Sequence, residues 1–154
     1  MLEIIEAQSD YEIQTIRKLF EEYASSLNFN LSFQNFDEEL NNLPSEYASP
    51  DGSLMLALHN GSPAGCVGLR KITNDVCEMK RLYVRDNFRG LQIGKSLTEK
   101  IIAEAKRIGY KKMRLDTVPS MKAARKLYKS LGFYKTDAYR YNPVEGTIYM
   151  ELDL

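Results

Sequence analysis

The chain has 154 residues, enough for one domain with a real core, and residues 1–154 are taken as that single domain. Hydrophobic residues make up 44% and charged residues 27%, the balance of a soluble globular protein, and no apolar run approaches the roughly 18 residues of a membrane span. The formal net charge is zero and no nucleic-acid-binding motif accompanies the scattered basic residues, so neither a nucleic acid nor a membrane is an expected partner.

Leu2 to Ala7 reads as a first strand. Ser9 and Glu12 have the spacing of a capping box and predict a helix, with Ile13, Ile16, Phe20, Tyr23 and Leu27 on one face. Asn28 to Asn35 reads as a loop. Phe36, Leu40 and Leu43 suggest a short helix stopped by Pro44, and Ser45 to Gly52 a surface connection. Leu54 to His59 and Pro63 to Arg70 are strands joined at Asn60-Gly61, a strong hairpin turn. Val76 to Val84 follows as a third antiparallel strand. A helix from about Gln92 to Ile108 shows Ile93, Leu97, Ile101, Ala105 and Ile108 on one face, with Gly109 as its stop. Lys112 to Asp116 is a strand, so strand–helix–strand implies a parallel crossover. Met121 to Leu131 is a helix stopped by Gly132, and Phe133 to Tyr141 and Thr147 to Leu152 are the final strands. The expected class is α/β (α+β): a mixed, mostly antiparallel twisted sheet of about seven strands flanked by four helices.

Tyr83 to Leu97 stands out within this order. A strand end, a basic glycine-containing turn and a helix start follow one another there. A helix start exposes N–H groups without intrahelical partners and carries partial positive charge. Arg85, Arg89 and Lys95 add full charges, and Gly90 and Gly94 allow close approach. The combination points to an anion site for a phosphate or pyrophosphate. Charge is also unevenly distributed. Residues 1–60 hold two basic and eleven acidic side chains, and residues 61–154 nineteen and ten. Two accounts stay open: the blocks pair across the fold, or they serve a polyanion and a cation as separate ligands. Met1 to Asp10 lacks the pattern of a signal peptide, and Cys66 and Cys77 are expected as reduced, buried thiols, in keeping with a cytoplasmic location.

Three segments resemble the GNAT N-acetyltransferase superfamily. Glu78 to Val84 (Glu-Met-Lys-Arg-Leu-Tyr-Val) is similar to its central strand. Arg89-Gly90-Leu91-Gln92-Ile93-Gly94 resembles its pyrophosphate loop. Ala124 to Phe133 resembles its Ala-x-x-Leu-Tyr-x-x-x-Gly-Phe helix. Two positions depart: Gln92 stands where the loop has its middle glycine, and Met121 where many members carry asparagine. Gln92 is expected as the first helical residue, with φ below zero. The resemblance implies an acyl-CoA N-acyltransferase-like fold. It implies transfer of an acetyl group from acetyl-CoA (coenzyme A as product) to a primary amine of a small molecule or peptide, in a monomer or homodimer. A non-catalytic acyl-CoA-binding module on the same scaffold is the alternative. The implied cofactor site is Leu82, Tyr83 and Val84 along the strand edge, Arg89, Gly90, Leu91, Gln92, Ile93, Gly94 and Lys95 around the turn, and Ala124 and Tyr128 on the last helix.

Tyr128 matches the tyrosine facing the cofactor sulfur and is the candidate acid. A thiol at about 8.5 and a phenol at about 10 make proton donation to a leaving thiolate feasible. Glu78, eleven residues before Arg89, matches a strand glutamate and is the candidate base. Shielding from water would raise its pKa for that work. Direct abstraction and a water relay, through Glu78 or another carboxylate, both remain open, and a salt bridge to Lys80 or Arg81 is the plain structural role. A backbone N–H near Leu82 or Tyr83 would stabilise the oxyanion. His59 and the two cysteines do not form a nucleophilic pair, and no cluster has metal-ligand spacing. Candidates for the acceptor side are Asn28 to Asn35, Ser45 to Gly52, and Tyr139, Tyr141 and Tyr149.

Overall fold

The computed structural model describes residues 1–27, 29–31 and 35–154. Its elements in chain order are β1 (Leu2–Glu6), α1 (Asp10–Ser26), α2 (Phe36–Asn41), β2 (Ser53–His59), β3 (Ser62–Lys71), β4 (Val76–Val84), α3 (Ile93–Ile108), β5 (Lys112–Thr117), α4 (Lys122–Ser130), β6 (Tyr134–Thr136) and β7 (Ile148–Asp153). The sheet runs β1-β2-β3-β4-β5-β7-β6. Every pair is antiparallel except β4 with β5, whose parallel pairing needs the α3 crossover. Seven strands and four helices match the expected class.

The capping box forms at α1: Glu12 N–H donates to Ser9 Oγ at 3.2 Å, and Ser9 N–H donates to Glu12 Oε1 at 3.1 Å. Asn60 and Gly61 both have positive φ, the twist a two-residue hairpin requires. Gly109 ends α3 at φ 111° with its N–H on the Ala105 and Lys106 carbonyls. Side chains alternate through the central strands. Leu54, Leu56 and Cys66 face a cluster with Ile16, Leu19 and Phe20 of α1. Met55, Ala57, Val67 and Leu69 face one with Ile93, Leu97, Ile101 and Ala105 of α3. Two helices therefore clamp opposite faces of the sheet, and β4 runs between them.

β4 is irregular where it matters. Cys66 pairs with Tyr83 but Gly68 pairs with Lys80, so Arg81 and Leu82 together oppose Val67. This is a β-bulge, and Arg81 takes φ 62° within it. On the other side, β4 pairs with β5 only at Val76, Cys77 and Glu78. β5 continues through Leu115, Asp116 and Thr117, paired to β7 alone. A wedge opens between the two strands from Met79 onward.

Two expectations are corrected, and one question left open is answered. The strand expected over Phe133 to Tyr141 is only Tyr134–Thr136. The chain then leaves the sheet, tied down by Tyr139 and Arg140 on Glu78 and by Asn142 on Asp116. Ser45 to Gly52 is not wholly a surface connection. Tyr47 is buried with its ring edge-on to Phe20 at 5.8 Å, and a Cβ on Gly52 would meet Tyr47 and Leu69 backbone within 2.8 Å. The unequal charge blocks pair with each other: Glu22 with Arg85, Glu39 with Arg81, Glu46 with Arg70 and Asp51 with Lys71.

Candidate active site

The turn after β4 has the geometry of an anion cradle. Gly90 has φ +83°, backbone that favours glycine. The first helical bond of α3 runs from Ser96 N–H to Gln92 C=O at 3.0 Å. The N–H groups of Ile93, Gly94 and Lys95 consequently have no acceptor within the helix. A Cβ on Gly94 would touch only Val84 Cγ2, at 3.8 Å. Packing alone does not demand glycine there, whereas a ligand lying on the backbone would. Arg89 is exposed and bonds Val84 C=O at 3.3 Å through Nε, and Lys95 and Leu91 are exposed beside it.

Gln92 corrects the sequence expectation. It is not a first helical residue with negative φ but the N-cap, with φ 64° and ψ 20°, left-handed backbone that glycine adopts most readily. Its side chain makes no capping bond. Arg85 is also reassigned. Its guanidinium is bidentate to Glu22, at 2.9 and 2.7 Å, and bonds Pro63 C=O at 3.1 Å. It joins the turn to α1 and is committed to that contact.

The wedge beyond the turn is a cleft of about 60 Å³. Met79, Lys80, Arg81 and Leu82 of β4 form one wall, and Leu115, Asp116 and Thr117 of β5 the other. Ala124 and Tyr128, one helical turn apart on α4, both face it, as does Met121. Tyr83 and Val84 pair with β3 while Leu82 sits in the bulge, and among the described residues none of the three has a strand partner on the β5 side. Tyr128 is buried, with its ring against Phe133 at 5.6 Å. Burial, then Tyr23 and Asp116, push its phenol above the usual range, so it stays protonated.

Thr117 and Asp116 were not singled out in the sequence. Thr117 is buried, lines the cleft, and its Oγ1 has no hydrogen-bond partner among the described residues. An orphan buried hydroxyl beside a strand edge without a partner fits a ligand made of amides. Asp116 accepts from Asn142 Nδ2 at 3.2 Å. The hint for both was their place at the end of a parallel strand, where open sheets bind ligands.

Glu78 is fully buried, as shielding requires, but its chemistry differs from the expectation. Arg70 Nε donates to its Oε1 at 2.6 Å, Tyr139 OH to its Oε2 at 2.6 Å, and Arg140 Nη2 also to Oε1. Burial alone would raise its pKa, but Lys80, Arg140 and Arg70 outweigh it and hold the carboxyl below the usual range. A carboxylate so occupied binds a proton poorly. Its partners come from 8, 61 and 62 residues away, a convergence no local pattern shows. Tyr139 was expected as an acceptor wall. Its ring lies edge-on to Tyr149 at 5.4 Å and under the guanidinium groups of Arg114 and Arg140, at 5.5 and 5.4 Å. Tyr141 is exposed.

A second cavity of about 400 Å³ adjoins this hub. Arg70, Lys80 and Arg140 line it together with Glu38 and Glu39 of α2, Asn42 just after that helix, and Glu46. Lys80 borders both cavities. The expected acceptor loop Asn28 to Asn35 falls partly outside the described residues, at Asn28 and at 32–34. Cys66 and Cys77 are free and buried, which pushes both thiols up, and His59 packs on Phe88 at 5.7 Å. Among the described residues no group of His, Cys, Asp and Glu could hold a metal ion, and no helix is long and apolar enough to cross a membrane.

Comparison with known proteins agrees with this layout. Residues 13–133 match the model of the acetyltransferase (GNAT) family. An N-acetyltransferase of Schizosaccharomyces pombe is 38% identical over 145 residues, covering 93% of this chain and 89% of its own. Among solved structures, a GNAT-family acetyltransferase from Staphylococcus aureus superposes with a TM-score of 0.79 at 20% identity, over 99% of both chains. The PaiA N-acetyltransferase of Thermoplasma acidophilum, solved with coenzyme A, gives 0.75 at 18% identity, over 100% of this chain and 99% of that one. On the strength of the family match and the yeast relative, this chain belongs to the acetyltransferase (GNAT) family.

Proposed function

We propose that the protein is an N-acetyltransferase that moves an acetyl group from acetyl-CoA to a primary amine of a small molecule or peptide, by direct attack in a ternary complex. One observation carries the reading: β4 parts from β5 after Glu78, Tyr128 lines the cleft so opened, and the same strand runs on into the turn that bares the N–H groups of Ile93, Gly94 and Lys95. The pyrophosphate would rest on the backbone of Gly90 to Gly94, with Arg89 and Lys95 at the rim. The pantetheine amides would pair with Leu82, Tyr83 and Val84, and Thr117 Oγ1 would gain the partner it lacks. Ala124 lets the cofactor lie close to α4. The CoA complex of the Thermoplasma relative supports this cofactor.

Bound acetyl-CoA supplies an acyl carbon activated by its thioester. Burial keeps Tyr128 protonated but also makes it a weaker acid; it donates its proton to the departing thiolate because the same dry cleft makes that thiolate more basic. A backbone N–H beside the bulge at Leu82 faces the developing oxyanion. Glu78 keeps Arg70, Arg140 and Tyr139 in place, a supporting role instead of the base role its strand position suggested. Asp116 is a carboxylate lining the cleft, and it takes the proton that the acceptor ammonium must lose before its nitrogen can attack. A cytoplasmic setting goes with two reduced thiols.

The test is calorimetry with coenzyme A and with ATP, followed by thiol release from acetyl-CoA over a panel of amines. CoA binding with thiol release is expected. CoA binding without release on any amine would support a non-catalytic CoA-binding module, and ATP binding without CoA binding would refute both.

A further inference from the structure

Asn142 belongs to the irregular segment between β6 and β7, and it lines the cleft together with Asp116. Resting on the acetyl-transfer reading, we infer that Asn142 is a positioning residue for that reaction. It holds one carboxylate oxygen of Asp116 and leaves the other for the acceptor ammonium.

The two partners of the Asn142 amide fix which way it points. Val144 N–H donates to its Oδ1 at 2.9 Å, and a backbone N–H can do nothing but donate. The NH2 group therefore faces Asp116, and Nδ2 donates to Asp116 Oδ2 at 3.2 Å. A carboxylate only accepts, so this end of the contact is consistent as well. Asp116 Oδ1 accepts no hydrogen bond among the described residues. The last torsion of an aspartate is broad, and a bond to one oxygen narrows it. The open oxygen thus keeps a fixed place in the cleft, as an oriented catalytic group needs. The step it serves is a proton transfer. The ammonium N–H bond breaks, the proton passes to Oδ1, and the electron pair stays on nitrogen for the attack.

The segment that carries Asn142 is itself fastened on both sides. Tyr139 and Arg140, three and two residues earlier, are bonded to Glu78. Tyr149, the partner of Asp116 across the β5–β7 ladder, donates its OH to Arg140 C=O at 2.8 Å. Beyond Asn142, Thr147 Oγ1 donates to Val144 C=O at 2.7 Å. Gly146 then lies against the loop that leaves β5: a Cβ on it would meet Pro119 Cγ at 2.7 Å, and its φ is +81°. Glycine satisfies both the close approach and the backbone there. Glu78 of β4 thereby acts on Asp116 of β5 at a distance, through the segment that joins β6 to β7.

The test is a double-mutant cycle on thiol release from acetyl-CoA, run with whichever amine of the panel reacts fastest. Asn142→Ala should lower kcat by about 10-fold and leave CoA affinity by calorimetry unchanged. Asn142→Ser keeps an acceptor for Val144 N–H but is too short to reach Asp116, and it should fall as far. Asp116→Asn should lower kcat by about 100-fold. Adding either Asn142 variant to Asp116→Asn should lower it by less than about 2-fold more, because the residue it acts through is already gone. Circular dichroism and melting check folding; if Asn142→Ala fails to fold, Asn142→Ser carries the same cycle with the turn bond kept. Losses that multiply to about 1,000-fold would overturn the inference. So would full turnover in Asn142→Ser or in Asp116→Asn, and each of these results leaves acetyl transfer standing. No thiol release by the unmodified protein on any amine would overturn both.

Discussion

Arg81 and Gln92 are both non-glycine residues in left-handed backbone, at φ 62° and 64°, and they bracket the same turn. They are held in opposite ways. Arg81 is buried inside a strand, bidentate to Glu39 at 3.1 and 2.9 Å, with its guanidinium 5.2 Å from the Phe36 ring centre. Gln92 is exposed, and its side chain caps nothing. An L-residue in this conformation costs roughly 1–2 kcal/mol. At Arg81 the surrounding contacts impose it, and the bulge that results opens the cleft. At Gln92 the side chain makes no capping bond that returns the cost. Strain in one region is enforced by packing; in the other it falls in the turn proposed to hold the pyrophosphate.

The comparison can be broken most directly at Arg81. Arg81→Met should cost about 3–5 kcal/mol in denaturant unfolding, because it leaves Glu39 half-buried without its partner. Arg81→Gly would relieve the backbone and still lose stability; a gain would mean that the ion pair does not enforce the bulge. Next in size is the chemistry the bulge serves. Tyr128→Phe should lower kcat by about 10- to 100-fold with little change in CoA affinity by calorimetry. Unchanged turnover would remove the phenol from the mechanism. Smaller and opposite in sign, Gln92→Gly should raise stability by about 0.5–1 kcal/mol. Loss of stability there would show that the glutamine side chain supports the turn after all.

The smallest effect concerns the stem of the turn. Arg85 holds the Glu22 carboxyl below its ordinary value. The folded state of Glu22 thus has the lower pKa, so its contribution is complete above the unfolded value near 4.5 and is lost as pH falls through the folded one. For a partly exposed pair that is about 0.2–1 kcal/mol. Glu22→Gln should flatten the acid side of the stability curve by that amount, and an unchanged acid limb would show that the stem draws its order from elsewhere.

Much of this was legible in the sequence. The capping box of α1, the Asn60-Gly61 hairpin, the α3 face and the order of elements all follow from patterns a few residues long. So do the cleft positions of Ala124 and Tyr128, which share one face of a short helix. What escaped depends on partners far along the chain. Val76 to Val84 reads as a uniform strand, and the bulge at Arg81 exists only in its register with β3. Arg85 reads as a phosphate ligand until Glu22, 63 residues earlier, takes both its arms. Glu78 reads as a shielded base until three donors arrive from β3 and from the segment after β6. That segment carries strand-like aromatics, and periodicity cannot show that it leaves the sheet to deliver them.

The wedge has a further consequence for the protein as a mechanical object. β1–β4 and β5–β7 form two leaves joined in the sheet by three rungs, at Val76, Cys77 and Glu78. A ligand lying along Leu82 to Val84 acts as a temporary extra strand and lengthens that seam. Occupancy should then be readable without any catalytic assay. Melting should shift with ligand concentration, by about 2.7 kcal/mol at a hundredfold excess over Kd. Amide exchange should slow most at the inner edges of the two leaves, where the open sheet had left backbone without a neighbour.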